Sequence, residues 1–200
     1  MERAEEILQF WFGELDEGGW DFDPARYDLW FGKSPETDRV VTERFGEDAR
    51  AAAEGRLDPW AETPRGRLAL VLLLDQFPRH IHRGKPEAWA QDPKAQRIVL
   101  EGLARGHDQA LRPIERSFFY LPLEHAEDAA LQARSVALYR ALAEAAPEAV
   151  RARYASFLDY AIRHQVIIDR FGRFPHRNAI LGRQSTPEEE AFLLEPGSSF

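Results

Sequence analysis

The chain has 200 residues, no cysteine and a formal net charge of −8. That length suits one domain with a core large enough to need no staples. The missing cysteine excludes disulfides, thiolate metal ligands and a cysteine nucleophile, and the acidic balance argues against a broad nucleic-acid surface, which wants a basic face.

From the N-terminus, the charged stretch Met1 to Glu6 lacks the basic-then-apolar pattern of a signal peptide. Helix starts are then marked by a capping side chain followed by proline at Ser34-Pro35, Thr63-Pro64, Asp92-Pro93 and Thr186-Pro187, with weaker versions at Asp23-Pro24 and Asp58-Pro59. Thr186 and Glu189 have the spacing of a capping box. Val40, Val41, Phe45 and Ala49 share one face of a helix expected over about 35–54. Leu68 to Phe77 is apolar all round, the signature of a central buried helix. Its longest purely apolar run, Leu68 to Leu74, is seven residues, far short of the roughly 20 a membrane span needs. Ile98, Leu100 and Leu103 belong to a further helix. Leu131, Ser135, Leu138 and Leu142 stripe one expected over about 124–145. Phe157, Ala161, His164, Ile168 and Phe171 stripe another over about 147–173. Gly55, Gly84 and Gly106 read as stops. The expectation is an all-α single domain over residues 1–200, with a short flexible tail near 195–200, in a soluble protein of the cytoplasm with no membrane partner.

Several of these segments stand in the order of a known family: Phe10-Trp11-Phe12-Gly13, Trp30-Phe31, Leu74-Asp75-Gln76-Phe77-Pro78-Arg79 and Pro122-Leu123-Glu124-His125-Ala126-Glu127. The long run Arg170 to Asn178 and then Gly182-Arg183-Gln184-Ser185-Thr186 complete it. The chain resembles, over nearly its whole length, the bacterial family called domain of unknown function 924. The resemblance implies about eight to ten antiparallel helices in a tetratricopeptide-repeat-like stack, and no established activity. His80 and Ala126 depart from the residues the family often has, Asn and Ser.

The polar residues divide between structural and functional readings. Asp75 ends an apolar helix and needs a partner, for which Arg79 stands four residues on. His164 sits on an apolar stripe and is either a satisfied core histidine or a ligand-facing one. Glu124, His125, Glu127 and Asp128 read as the first turn of a helix, where acids suit the dipole, or as a His–carboxylate acid–base pair. The stretch from Arg170 to Arg183 holds four arginines and His176 and no acid, which suits an anion pocket or a set of helix-locking ion pairs. An internal echo links Asp75-Gln76-Phe77-Pro78-Arg79-His80 to Arg173-Phe174-Pro175-His176-Arg177-Asn178. Phe118-Phe119-Tyr120, flanked by Arg112 and Arg116, reads as core or as a base-stacking cluster.

No His-Glu-x-x-His, Gly-rich phosphate loop or Gly-x-Ser-x-Gly elbow is present, so neither a metal nor a cofactor is expected. The expected pocket takes a small anionic metabolite, with His125, Glu127 and His164 as catalytic candidates. Asp75, Arg79, Arg173, His176, Arg177, Asn178 and Arg183 are its binding candidates. The alternative is an interaction scaffold for an acidic peptide, in which the same cluster is structural.

Overall fold

A computed structural model describes residues 2–199, and among them no strand occurs. The chain is built from α1 (Glu2–Phe12), α2 (Arg26–Phe31), α3 (Pro35–Ala53), α4 (Pro64–Val71), α5 (Phe77–Ile81), α6 (Asp92–Ala104), α7 (Pro113–Glu124), α8 (Ala129–Ala145), α9 (Arg151–Phe171) and α10 (Pro187–Leu193). Ser34 accepts from the Thr37 N–H at 3.3 Å and Thr63 from the Gly66 N–H at 3.1 Å. Thr186 and Glu189 form a reciprocal capping box. Each satisfies a backbone donor that the first turn would otherwise leave unpaired. Among the described residues, no helix is long and apolar enough to cross a membrane.

The apolar run Leu68 to Leu74 is completely buried. It lies at the centre of the molecule, where α4 packs on α1, α6 and α7 and α5 packs on α3. Between α4 and α5 the chain makes a π turn over Leu72–Gln76, with the Phe77 N–H reaching back to the Leu72 carbonyl. Pro78 accounts for this widening. Its ring would meet the carbonyl four residues back, and it has no N–H to give that carbonyl. The Arg79 guanidinium donates to the next carbonyl oxygen along, that of Asp75.

Two expected boundaries are different in the structure. Glu124 to Asp128 do not open a helix. Glu124 ends α7, His125 caps it, and Asp128 caps α8 by accepting from the Leu131 N–H at 2.9 Å. The Gln132 amide from α8 donates to the Glu124 and Ala126 carbonyls at 2.6 and 2.8 Å, so the end of α7 is held by the next helix. Asp92 does not cap α6 with its side chain; its carboxylate is taken by Arg79. Trp11, Phe12, Trp30, Phe118, Phe119 and Tyr120 are core, whereas Phe31 is 52% exposed. At the far end, Ser198 is buried and its hydroxyl donates to the Leu193 carbonyl at 3.2 Å.

Gly102 marks a close crossing. A Cβ there would stand 2.5 Å from Arg67 Cδ and 2.7 Å from Phe119 Cζ. Arg67 is itself buried and donates to the Ile98 and Ala61 carbonyls at 2.7 and 2.6 Å, so it cannot swing away freely. In an open helix Gly→Ala stabilises by up to about 1 kcal/mol. Here Gly102→Ala should instead destabilise by about 1–3 kcal/mol, read as a lower urea midpoint with an unchanged slope.

Candidate functional site

A cavity of about 820 Å3 opens between α2, the π turn and α5, the ends of α7 and the middle of α9. Its deep wall is made by the π turn and the end of α7, which bring residues 50 positions apart into contact. Asp75 is completely buried, and its Oδ1 lies 2.8 Å from His125 Nδ1. The Arg79 guanidinium stands 3.3 Å from the same oxygen, and the Gln76 amide donates to Oδ2 at 2.5 Å. Burial pushes the Asp75 carboxyl up, but Arg79 and His125 beside it outweigh that and hold it below its ordinary value. The ionised carboxylate only accepts, so the His125 proton sits on Nδ1. Burial also holds the His125 imidazole below its ordinary value, which leaves a neutral ring bonded through Nδ1, with no hydrogen bond to Nε2 among the described residues.

Arg79 and Arg177, one arginine from each copy of the internal echo, converge on one acid. Arg79 makes paired bonds of 3.1 and 3.0 Å to Asp92, and Arg177 lies 3.6 Å from it. Burial raises the Asp92 carboxyl even beside these cations. Arg177 donates to the His125 carbonyl at 3.2 Å, but its Nε is buried with no hydrogen-bond partner. Its guanidinium lies 4.5 Å from the Phe174 ring centroid and 5.6 Å from that of Trp89. Burial and the nearby Arg79 charge lower its pKa to about 10, so it stays cationic at neutral pH.

Glu124 completes the wall. It is buried, with Oε1 3.2 Å from His164 Nδ1, and among the described residues no arginine or lysine pairs with it. His164 Nδ1 also lies 2.8 Å from the Tyr160 carbonyl. Tyr139, which bonds Glu124, spends its own proton on the Ser117 carbonyl at 2.6 Å. That leaves the phenol oxygen as an acceptor, a role met by a protonated Glu124. Burial and the Asp75 charge push Glu124 up to about 8. Burial lowers His164 to about 3, and burial with the Arg177 charge lowers His176 to about 4. The wall therefore carries neutral imidazoles and a neutral carboxylic acid beside two ion-paired arginines.

Of the residues singled out in the sequence, Arg79, His125, His164, His176 and Arg177 line the cavity, and Asp75 stands directly behind His125. Glu127 does not reach His125. Its carboxylate accepts from Arg183 at 2.6 and 2.9 Å and from the Phe174 N–H at 2.8 Å. Arg173 pairs with Glu189 at 2.6 and 2.7 Å. Asn178 donates to Ser185 and Glu189 and accepts from Arg183. These four residues tie the loop after α9 to the start of α10 and to the α7–α8 junction, away from the cavity wall. Among the described residues, no group of three or more His, Asp or Glu side chains is placed to hold a metal ion. Asp92, Tyr139 and Trp89 belong to the site, and nothing in the sequence marks them as site residues. Asp92 was disguised by the Asp-Pro capping signal, and Tyr139 and Trp89 carry no spacing that distinguishes them from core.

The fold and site together define an all-helical protein with a histidine–carboxylate cluster set into the wall of one cavity. The chain belongs to the DUF924 family, described as bacterial proteins of unknown function, whose pattern it matches over residues 7–197. It is also similar to the solved structure of a protein of unknown function from Agrobacterium tumefaciens, with 41% identity, a TM-score of 0.80, and coverage of 96% of this chain and 97% of that one. Comparison with curated proteins finds no match.

Proposed function

We propose that this chain binds a small anionic metabolite in the cavity and moves a proton on it. The observation that carries the reading is the Asp75–His125 pair at 2.8 Å on the wall of a cavity of about 820 Å3, beside a buried Arg177 whose Nε lacks a partner. A cavity of that size suits a metabolite rather than an extended chain. Arg177 holds the negative charge. His125 accepts a proton through Nε2, while Asp75 fixes the tautomer and stabilises the imidazolium that forms. Arg79 keeps Asp75 ionised, and Glu124 offers a proton from the same wall. A general base so placed contributes about 10²–10⁴-fold in rate.

The second reading is an interaction scaffold in which the charged cluster only locks helices together. It draws on Arg173, Arg183 and Asn178, which are occupied by Glu127 and Glu189. A thermal-shift series with acetate, phosphate, sulfate and dicarboxylates separates the two. An anion at 100 times its dissociation constant should stabilise the wild type by about 2.7 kcal/mol, or roughly 5–10 °C for a domain of this size, and the shift should vanish in Arg177→Ala. If no anion shifts the wild type and Arg177→Ala only lowers the melting temperature, the scaffold reading stands.

A further inference from the structure

The cavity has a second character toward its mouth. Tyr27, Phe31 and Tyr160 line it and are 37%, 52% and 46% exposed, which places them among the few large hydrophobic side chains that the described residues leave in solvent. Exposed rings gathered on one opening, from α2 and from α9, are costly unless something covers them. A further ring, that of Trp89, also lines the cavity and lies 5.6 Å from the Arg177 guanidinium. An anion held by Arg177 is thus beside an aromatic face before it reaches the mouth.

The charges on the deep wall limit what that anion is. Arg79 is committed to Asp75 and Asp92. Arg177 is left with a buried N–H, at Nε, that has no hydrogen-bond partner among the described residues. On that wall Arg79 and Arg177 face Asp75 and Asp92, while Glu124 and the imidazoles of His125, His164 and His176 are neutral. A single added negative charge meets one available fork, whereas a phosphate dianion meets the same fork and the repulsion of Asp75 and Asp92.

Building on the anion-binding reading above, we propose that the ligand is an aromatic monocarboxylic acid, its carboxylate on Arg177 and its ring against Trp89 and the Phe31–Tyr160 mouth. Carboxylate geometry matches a guanidinium fork, and a ring among rings gains from edge and offset contacts beyond the area it buries.

The test is a set of matched probes on the full chain, followed by tryptophan fluorescence and melting temperature. The set is phenylacetate, acetate, hexanoate, phenylacetamide and inorganic phosphate. Phenylacetate should bind roughly tenfold tighter than hexanoate, and tighter still than acetate, phenylacetamide or phosphate. Phe31→Ala removes a half-exposed ring that also stacks on Phe118 at 6.3 Å; with folding checked by melting temperature, it should weaken phenylacetate several-fold and leave acetate unchanged. Arg177→Gln should remove the preference for phenylacetate over phenylacetamide. If Arg177→Gln does not fold, the probe series on the wild type and on Phe31→Ala decides. Acetate or phosphate binding as tightly as phenylacetate, or hexanoate matching it, overturns the aromatic assignment and leaves the anion site standing. Phenylacetamide matching phenylacetate, or no probe binding at all, overturns both.

Discussion

Asp75→Ala is expected to lower the melting temperature by on the order of 10 °C. Asp75 is wholly buried and takes part in three contacts at once: His125 at 2.8 Å, Arg79 at 3.3 Å and the Gln76 amide at 2.5 Å. Removing one partner of a buried pair typically costs about 3–5 kcal/mol, because the other charge remains without compensation. Arg79 would keep Asp92, which moderates the loss, but the His125 Nδ1–H would lose its acceptor and a void would open in the π turn. A domain of about this length loses roughly 2–4 °C per kcal/mol. Arg39→Ala is the control. It removes pairs to Glu36 and Glu43 whose partners are all more than half exposed, and such pairs are worth less than about 1 kcal/mol. If Asp75→Ala melts within a degree or two of Arg39→Ala, the buried cluster does not hold the fold together. Differential scanning calorimetry on the three proteins gives the answer.

Glu124 should make stability fall as pH rises through neutrality, the reverse of the usual carboxylate. Its folded value of about 8 lies above its ordinary value of 4.5, so the folded state binds a proton that the unfolded chain releases. The stabilisation is complete below about pH 4.5 and is lost as pH climbs through about 8, with a total on the order of 5 kcal/mol. His164 acts at the other end. Its folded value of about 3 lies below the ordinary 6.5, so its contribution is present above about pH 6.5 and is lost as pH falls toward 3. Glu124→Gln keeps the shape and the hydrogen-bonding capacity of the protonated acid without the titration. It should melt close to the wild type at pH 5 and several degrees above it at pH 9. Equal pH slopes for the two proteins between pH 6 and 9 would mean that Glu124 is ionised in the folded protein, and the proton-donor role proposed for it would fall.

The internal echo acquires a physical meaning in the folded protein. In one copy Phe77-Pro78 opens α5 directly after the π turn, and in the other Phe174-Pro175 stands in the short turn beyond α9; an arginine follows each proline closely. Folding brings Arg79 and Arg177 to the same acid, Asp92, from positions 98 residues apart in the chain. One is consumed by that pairing and by Asp75; the other keeps an unsatisfied N–H. Two similar local motifs thus end in different chemical roles.

Helix periodicity, the capping residues and the all-apolar run were enough to read the all-helical class, the central buried helix and the starts at Pro35, Pro64 and Pro187. These features depend on contacts three or four residues apart, which are local enough to be legible along the chain. The resemblance in the motifs extended that reading to the family. Misplaced boundaries came where a local rule was overridden. Pro122 was accommodated inside α7, and Gln132 from the next helix satisfied the carbonyls that α7 leaves open. The partners of the charged groups were not legible at all. His125 was read with its sequence neighbours Glu127 and Asp128, yet it pairs with Asp75, 50 residues away, while Glu127 goes to Arg183, 56 residues away. A helix surface tells which residues share a face. Which acid a buried base meets depends on how faces pack and on the desolvation that rejects any charge left alone, and both arise only when the helices close on one another.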